Sequence, residues 1–168
     1  GIGSLINSTE GVLFVEIAAL SDDLTTRSIA ISDGGSSDRV DIYYGGASNR
    51  IRSEIRSGGS TQANLIVTSY TIVNFNKIAI KWKENDFAMW INGVEVANDS
   101  SGIAPVGMNK LSFDNGSSGN KFYGKVKQLQ VYDTALTDEQ LLQLTGESGT
   151  DFYESYAEMA SALTYTIQ

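Results

Sequence analysis

The chain has 168 residues, 41% of them hydrophobic, no cysteine, no histidine and a formal net charge of −8, with a pI near 4.4. That length fits one domain whose core needs neither disulfide nor metal, and the missing histidines exclude a Ser-His-Asp triad and a His-ligated zinc site. The acidic balance argues against nucleic acid, whose phosphates demand a basic surface, and no run approaches the roughly 20 apolar residues of a membrane span, so membrane insertion is not expected.

Gly1-Ile2-Gly3-Ser4 lacks the basic and apolar regions of a signal peptide, and the chain reads as excised from something longer. Val12–Leu20 is an apolar run suited to a strand covered on both faces, and Arg27–Ser32 alternates before an Asp33-Gly34-Gly35 loop. Arg39–Tyr44 and Asn49–Arg56 alternate strongly across Gly45-Gly46, which predicts a hairpin, and Gln62–Thr68 is a further strand. Lys77–Trp82 and Phe87–Val96 predict a meander of three strands, because Asn92-Gly93 tolerates the positive φ that both centres of a type I′ turn require. Asn109–Phe113 and Phe122–Tyr132 follow, the latter slipping phase in a way that predicts a bulge at Lys127 or Gln128. Thr137-Asp138-Glu139-Gln140 is a capping box opening a short helix that ends by Gly146, and Asp151–Leu163 has the stripe of a second helix, with Thr164–Ile167 as a final strand. The prediction is an all-β antiparallel jelly-roll sandwich over residues 1–146, with one or two short C-terminal helices and a tail or junction over 147–168.

Phe87–Ala97 resembles the "aromatic or Leu, x, Val-Asn-Gly" hairpin of the laminin-G-like, concanavalin A-like lectin and glucanase superfamily. Gly124–Gln140 is similar to that superfamily's last core strand and its "Tyr, x, x, Ala-Leu-Ser/Thr-Asp-Glu" helix; with Ser28–Tyr44 the resemblance spans about residues 10 to 145. Arg50–Gly59 resembles the version carried by phage tail and virion proteins. The resemblance implies a concanavalin A-like fold that binds carbohydrate or protein, and in many members a calcium ion. Calcium-holding relatives often carry an acidic residue after the Gly-x-Ile of the last strand; this chain has Lys127 there, so that site is not assumed.

A second resemblance links Arg52–Arg56 to the Arg-Ser/Thr-Glu-Leu-Arg segment of jelly-roll alginate lyases, whose arginines neutralise a uronate carboxylate. That family's Gln-Ile/Val-His motif, and with it the base, is missing. Glycoside hydrolysis would need two carboxylates on one strand, and the nearest pair, Glu95 and Asp99, straddles a strand end. No catalytic residue is assigned, and the protein is expected not to be an enzyme.

Strand parity places Val40, Ile42, Tyr44, Ile51, Ile55, Phe87, Met89, Ile91 and Trp82 inward. Asp41, Tyr43, Arg50, Arg52, Glu54, Arg56, Trp90 and Asn92 then face outward as carbohydrate-binding candidates: Tyr43 and Trp90 to stack on a pyranose, the charged groups to hydrogen-bond it or to pair with acidic sugars. The same outward groups also fit cross-strand ion pairs, and Trp90 also fits beneath the C-terminal helix. Asp33, Asp38, Asp114 and Asn115 are oxygen donors of the sort calcium prefers, and equally what tight turns contain. The expected function is a non-catalytic, lectin-like adhesion module of a larger extracellular or phage tail protein, sited extracellularly or on a virion surface. Its partner would be a cell-surface, algal or bacterial polysaccharide, with a possible homotrimer through a parent fibre. A purely structural tail domain and a polysaccharide lyase are the alternatives.

Overall fold

In the computed structural model, which describes residues 2–147, ten strands precede one helix: β1 Glu10–Ala19, β2 Arg27–Ser32, β3 Arg39–Tyr44, β4 Ile51–Ser57, β5 Ser60–Val67, β6 Asn76–Lys83, β7 Phe87–Ile91, β8 Val94–Asp99, β9 Lys110–Ser112, β10 Gly124–Tyr132 and α1 Asp138–Thr145. The predicted second helix and final strand lie outside the described residues. Two five-stranded sheets form the sandwich, ordered β10-β1-β6-β7-β8 and β5-β4-β3-β2-β9. All named strand pairs are antiparallel. The expected hairpins form: Ile78 pairs with Ile91 and Ile80 with Met89, while Tyr44 pairs with Ile51.

Period-two alternation sends one side of each sheet into the core. Leu13, Val15, Ile17, Ile78, Ile80, Trp82, Phe87, Met89 and Ile91 of the first sheet meet Ile29, Ile31, Val40, Ile42, Tyr44, Ile51, Ile55 and Leu65 of the second. Trp82 is fully buried, with its indole Nε1 donating to the Asn7 carbonyl at 3.3 Å. The β10 bulge falls where the phase slips: Glu16 pairs with Gln128 and Ile17 with Val126, leaving Lys127 as the extra residue. Asn92 (φ 49°) and Gly93 (φ 83°) supply the two positive φ values of the β7–β8 turn.

The first sheet is apolar on its outer face as well. Val12, Phe14, Ala79, Ala88 and Trp90 bury against Leu141 of α1, with Tyr132, Leu136 and Leu144 alongside. Both halves of the capping box form: Thr137 Oγ1 accepts from Gln140 N, and Gln140 Oε1 accepts from Thr137 N. Polar contacts fix the helix at both ends. Lys81 pairs with Asp86 at 2.6 Å and Asp138 at 3.8 Å, Gly93 N donates to Thr145 Oγ1 at 3.1 Å, and Lys77 Nζ donates to the Gly146 carbonyl at 2.7 Å.

Candidate functional site

The outer face of the second sheet has no helix over it among the described residues and carries most of the outward polar candidates. β3 and β4 are register partners, Tyr43 opposite Arg52 and Arg39 opposite Arg56, so one row of side chains alternates cation with aromatic or carboxylate. Their connection is pinned to the preceding loop: Asp22 Oδ2 accepts from Ser48 Oγ at 2.5 Å and Asn49 N at 3.0 Å, and Gly46 N donates to the Leu24 carbonyl at 2.8 Å. That turn delivers Arg50, which lies one residue before β4 and not within it as alternation predicts. On the other flank the loop after β9 is drawn in by Ser28 N, which donates to the Asn120 carbonyl at 2.8 Å.

These elements enclose a polar depression of about 210 Å³ lined by Thr26, Ser28, Arg39, Asp41, Tyr43, Arg50, Arg52, Asn115 and Asn120. Its floor is an ion network. Arg39 Nε donates to Asp41 Oδ2 at 2.9 Å and Arg39 Nη2 to Glu54 Oε2 at 2.5 Å, while Glu54 Oε1 accepts from Thr61 Oγ1 at 2.8 Å. Arg56 stands 3.9 Å from the same Glu54 carboxylate. Burial raises the Asp41 carboxyl to about 6, against the opposing pull of Arg39 and of the Glu54 amide. Burial also pushes the Tyr43 phenol up to about 12, so it remains a neutral hydroxyl that can donate.

Arg50 and Arg52 are different. Arg50 Nε is held by the Gly45 carbonyl at 2.7 Å, and Arg52 Nε donates to Asn64 Oδ1, with the Arg52 guanidinium carbon 5.2 Å from the Tyr43 centroid. Neither forms an ion pair with a carboxylate among the described residues. Two positioned guanidinium groups beside a phenol therefore line a recess with charge to offer, the donor set for a planar oxyanion.

Of the eight carbohydrate candidates, Asp41, Tyr43, Arg50 and Arg52 share the depression, and Glu54 and Arg56 adjoin it through Arg39. Two stand elsewhere. Trp90 points outward from the opposite sheet, but α1 covers it to 9% exposure, so it offers no open stacking face. Asn92 sits in the β7–β8 turn, where Oδ1 accepts from Lys77 N and Nδ2 donates to Asn76 Oδ1, each at 2.9 Å. Asp41 faces outward as parity predicts, yet it is 1% exposed. Sequence reasoning did not select Arg39, Thr26, Ser28 or Asn120; Arg39 and Ser28 share the parity of chosen neighbours, whereas Thr26 and Asn120 lie in irregular segments without a pattern.

The oxygen donors proposed for calcium serve the turns. Asp33 Oδ1 accepts from Gly35 N at 2.8 Å, and Asp38 Oδ1 from Val106 N at 2.8 Å and Gly58 N at 3.2 Å. Asp114 Oδ1 takes Ser112 Oγ and Gly116 N, both at 2.7 Å, and Asn115 Oδ1 takes Ser117 N at 3.1 Å and Gly119 N at 2.9 Å. Among the described residues no three carboxylates gather within reach of one metal ion, and Asn115 lines the polar depression.

No curated protein matches the chain by sequence. Among solved structures, the sialidase module CBM40 of Ruminococcus gnavus, bound to α2,3-sialyllactose, superposes with a TM-score of 0.67 at 18% identity over 83% of this chain and 84% of that one. A leech intramolecular trans-sialidase gives 0.66 at 20% identity, over 85% of this chain and 24% of that one. A heptameric SAP-like pentraxin from Limulus polyphemus gives 0.60 at 12% identity, over 87% and 74%. These likenesses establish the fold. The profile of the concanavalin A-like lectin/glucanases superfamily matches residues 15–142, and the chain belongs to that superfamily.

Proposed function

We propose that the protein is a non-catalytic carbohydrate-binding module that takes an acidic glycan on the outer face of the β5-β4-β3-β2-β9 sheet. The observation that carries this reading is the pair Arg50 and Arg52, held beside Tyr43 at a polar depression with no carboxylate partner of their own. A sugar carboxylate would accept from the two guanidinium groups, Tyr43 would donate or stack, and Asn115, Asn120 and Ser28 would meet ring hydroxyls. The carboxylates in reach are already engaged, Asp41 by Arg39 and Glu54 by Arg39 and Thr61, which suits binding better than general acid-base chemistry. Fold neighbours carry sialyllactose in both α2,3 and α2,6 linkage, which makes a carboxylate-bearing glycan the first ligand to try.

A shallow, open recess of this kind binds in the range of about millimolar to micromolar, or roughly −4 to −8 kcal/mol, and gains strength through multivalent display. Display on a larger extracellular or virion protein would supply that. The test is titration of the protein with 3′-sialyllactose and with lactose, alongside an array of uronate-bearing oligosaccharides displayed multivalently. Binding of an acidic glycan that Arg50→Ala and Arg52→Ala each weaken by about tenfold or more, with the fold intact, supports the reading. Failure of every acidic glycan to bind, or binding indifferent to both substitutions, overturns it.

A further inference from the structure

Asp41 is a carboxylate built into the wall of the same depression as Arg50 and Arg52. Its side chain is 2% exposed, and both oxygens are occupied: Oδ2 by Arg39 Nε at 2.9 Å, Oδ1 by the Glu54 backbone N–H at 2.8 Å. Pairing of β3 with β4 lapses at this point. Val40 pairs with Ile55 and Tyr43 with Arg52, but Asp41 and Ile42 have no register partner on β4, and the Asp41 side chain takes the amide there.

Charged and titratable groups face Asp41 from two sides. β3 contributes Arg39 and Tyr43; β4 and the turn before it contribute Glu54, Arg52 and Arg50, with Arg56 beyond Glu54. β2 lies against it with Ala30 opposite and Ser28 beside, and the loop after β9 adds Asn115 and Asn120, all uncharged. A sugar carboxylate stays ionised above about pH 4. Arriving at Arg50 and Arg52, it would place a second negative charge in a recess that already holds one of low exposure, where screening by salt is weak.

We infer that this site binds acidic glycans with proton uptake at Asp41, so that affinity rises as the medium becomes mildly acidic. The inference rests on the acidic-glycan reading above. Its sign follows from reciprocity: a bound carboxylate favours the protonated form of a neighbouring carboxylate, and protonation of that neighbour favours the bound carboxylate by the same factor. Burial already brings the Asp41 carboxyl to about 6, so the exchange falls within ordinary buffers. Neutralising Asp41 also leaves Arg39 with one carboxylate partner, Glu54, in place of two.

The experiment is calorimetric titration of the whole chain with 3′-sialyllactose between about pH 7.5 and pH 5, run near pH 6.5 in two buffers of different ionisation enthalpy. A gain of about threefold to tenfold in affinity on acidification is expected from one like-charge contact in a partly desolvated site, together with a net proton taken up per ligand. Asp41→Asn, which removes the charge, is expected to flatten the profile. Affinity that is constant or falls on acidification, zero proton uptake, or a profile unchanged in Asp41→Asn each overturns the inference while leaving glycan binding in place. No binding of 3′-sialyllactose or of any uronate-bearing oligosaccharide at any pH overturns the acidic-glycan reading and this inference together. Because proton uptake is read on the unaltered protein, the inference is tested even where Asp41→Asn fails to fold.

Discussion

Arg52 holds its guanidinium carbon 5.2 Å from the centroid of Tyr43, its register partner across the β3–β4 pair. A cation above a half-exposed ring is worth about 0.5–1 kcal/mol, too little for folding to depend on it. A hydrogen bond to a charged group is worth about 1.5–3 kcal/mol, so the contact from Arg52 to a bound carboxylate would dominate. Arg52→Ala is therefore expected to lower acidic-glycan affinity roughly 10- to 100-fold and to shift the urea midpoint little. Arg52→Lys keeps the charge without the planar fork and should fall between. A folded variant that binds like the parent would remove Arg52 from the site.

Trp90 separates stability from binding. It lies on the outer face of the first sheet, buried with Leu141 under α1, on the far side of the sandwich from Arg52. Truncating it leaves a void between sheet and helix, at a cost of about 3–5 kcal/mol, and Leu141→Ala should cost about 2–5 kcal/mol. Both are measured by chemical denaturation. Glycan affinity under conditions where the variants remain folded is expected to match the parent; loss of affinity with an unchanged denaturation curve would place Trp90 in the ligand site after all.

That same tryptophan marks the limit of what the chain discloses before folding. Alternation identifies the face of β7 on which Trp90 sits, because side-chain direction in a strand is a local property. It does not tell whether that face meets solvent, since α1 arrives from about fifty residues further on and its docking is a tertiary event. The capping box and the Asn92-Gly93 turn were legible for the same local reason as the strand parity, each needing only neighbouring residues. The division of hairpins between two sheets was not, and with it went the knowledge that Trp90 and Tyr43 stand on opposite sides. Asp41 shows a third case: its outward direction was readable, but its burial comes with its ion pair to Arg39 and its place in the wall of a depression that a loop more than seventy residues away also lines.

Folding stability is expected to peak in mildly acidic medium. The Asp41 carboxyl is raised from 3.8 to about 6 by burial, so its protonated form is the one the fold prefers; its contribution is fully present below about 3.8 and is lost as pH rises through about 6. Asp23, held by Arg27 at 2.7 Å, is lowered, and so is Asp114: burial opposes the shift there, and the Ser112 hydroxyl and Gly116 amide outweigh it. Those two contribute stability above the ordinary carboxylate range and lose it as acid protonates them. Between about pH 7.5 and pH 5, Asp41 alone should add about 1–1.5 kcal/mol. Urea unfolding across that range tests it, and an Asp41→Asn protein with the same slope as the parent would assign the gain to other groups.

The position of Arg50 rests on the absence of a side chain beside it. Gly46 has φ +73°, and a Cβ built there would overlap the Nη2 end of Arg50. Gly46→Ala thus brings two effects of different reach. The left-handed backbone costs about 1–2 kcal/mol in any residue with a Cβ, while the displaced guanidinium, a flexible end that can swing away, leaves the depression without one of its two unpaired cations. Gly107, with φ +68° and nothing within 4 Å of a Cβ, separates them, because Gly107→Ala meets the same backbone strain with no neighbour to displace. Both variants should lose similar stability, whereas only Gly46→Ala should lose acidic-glycan affinity, by about tenfold. Equal affinities in the two would mean that Arg50 does not need its present place to serve the site, and would leave Arg52 and Tyr43 to hold the carboxylate without it.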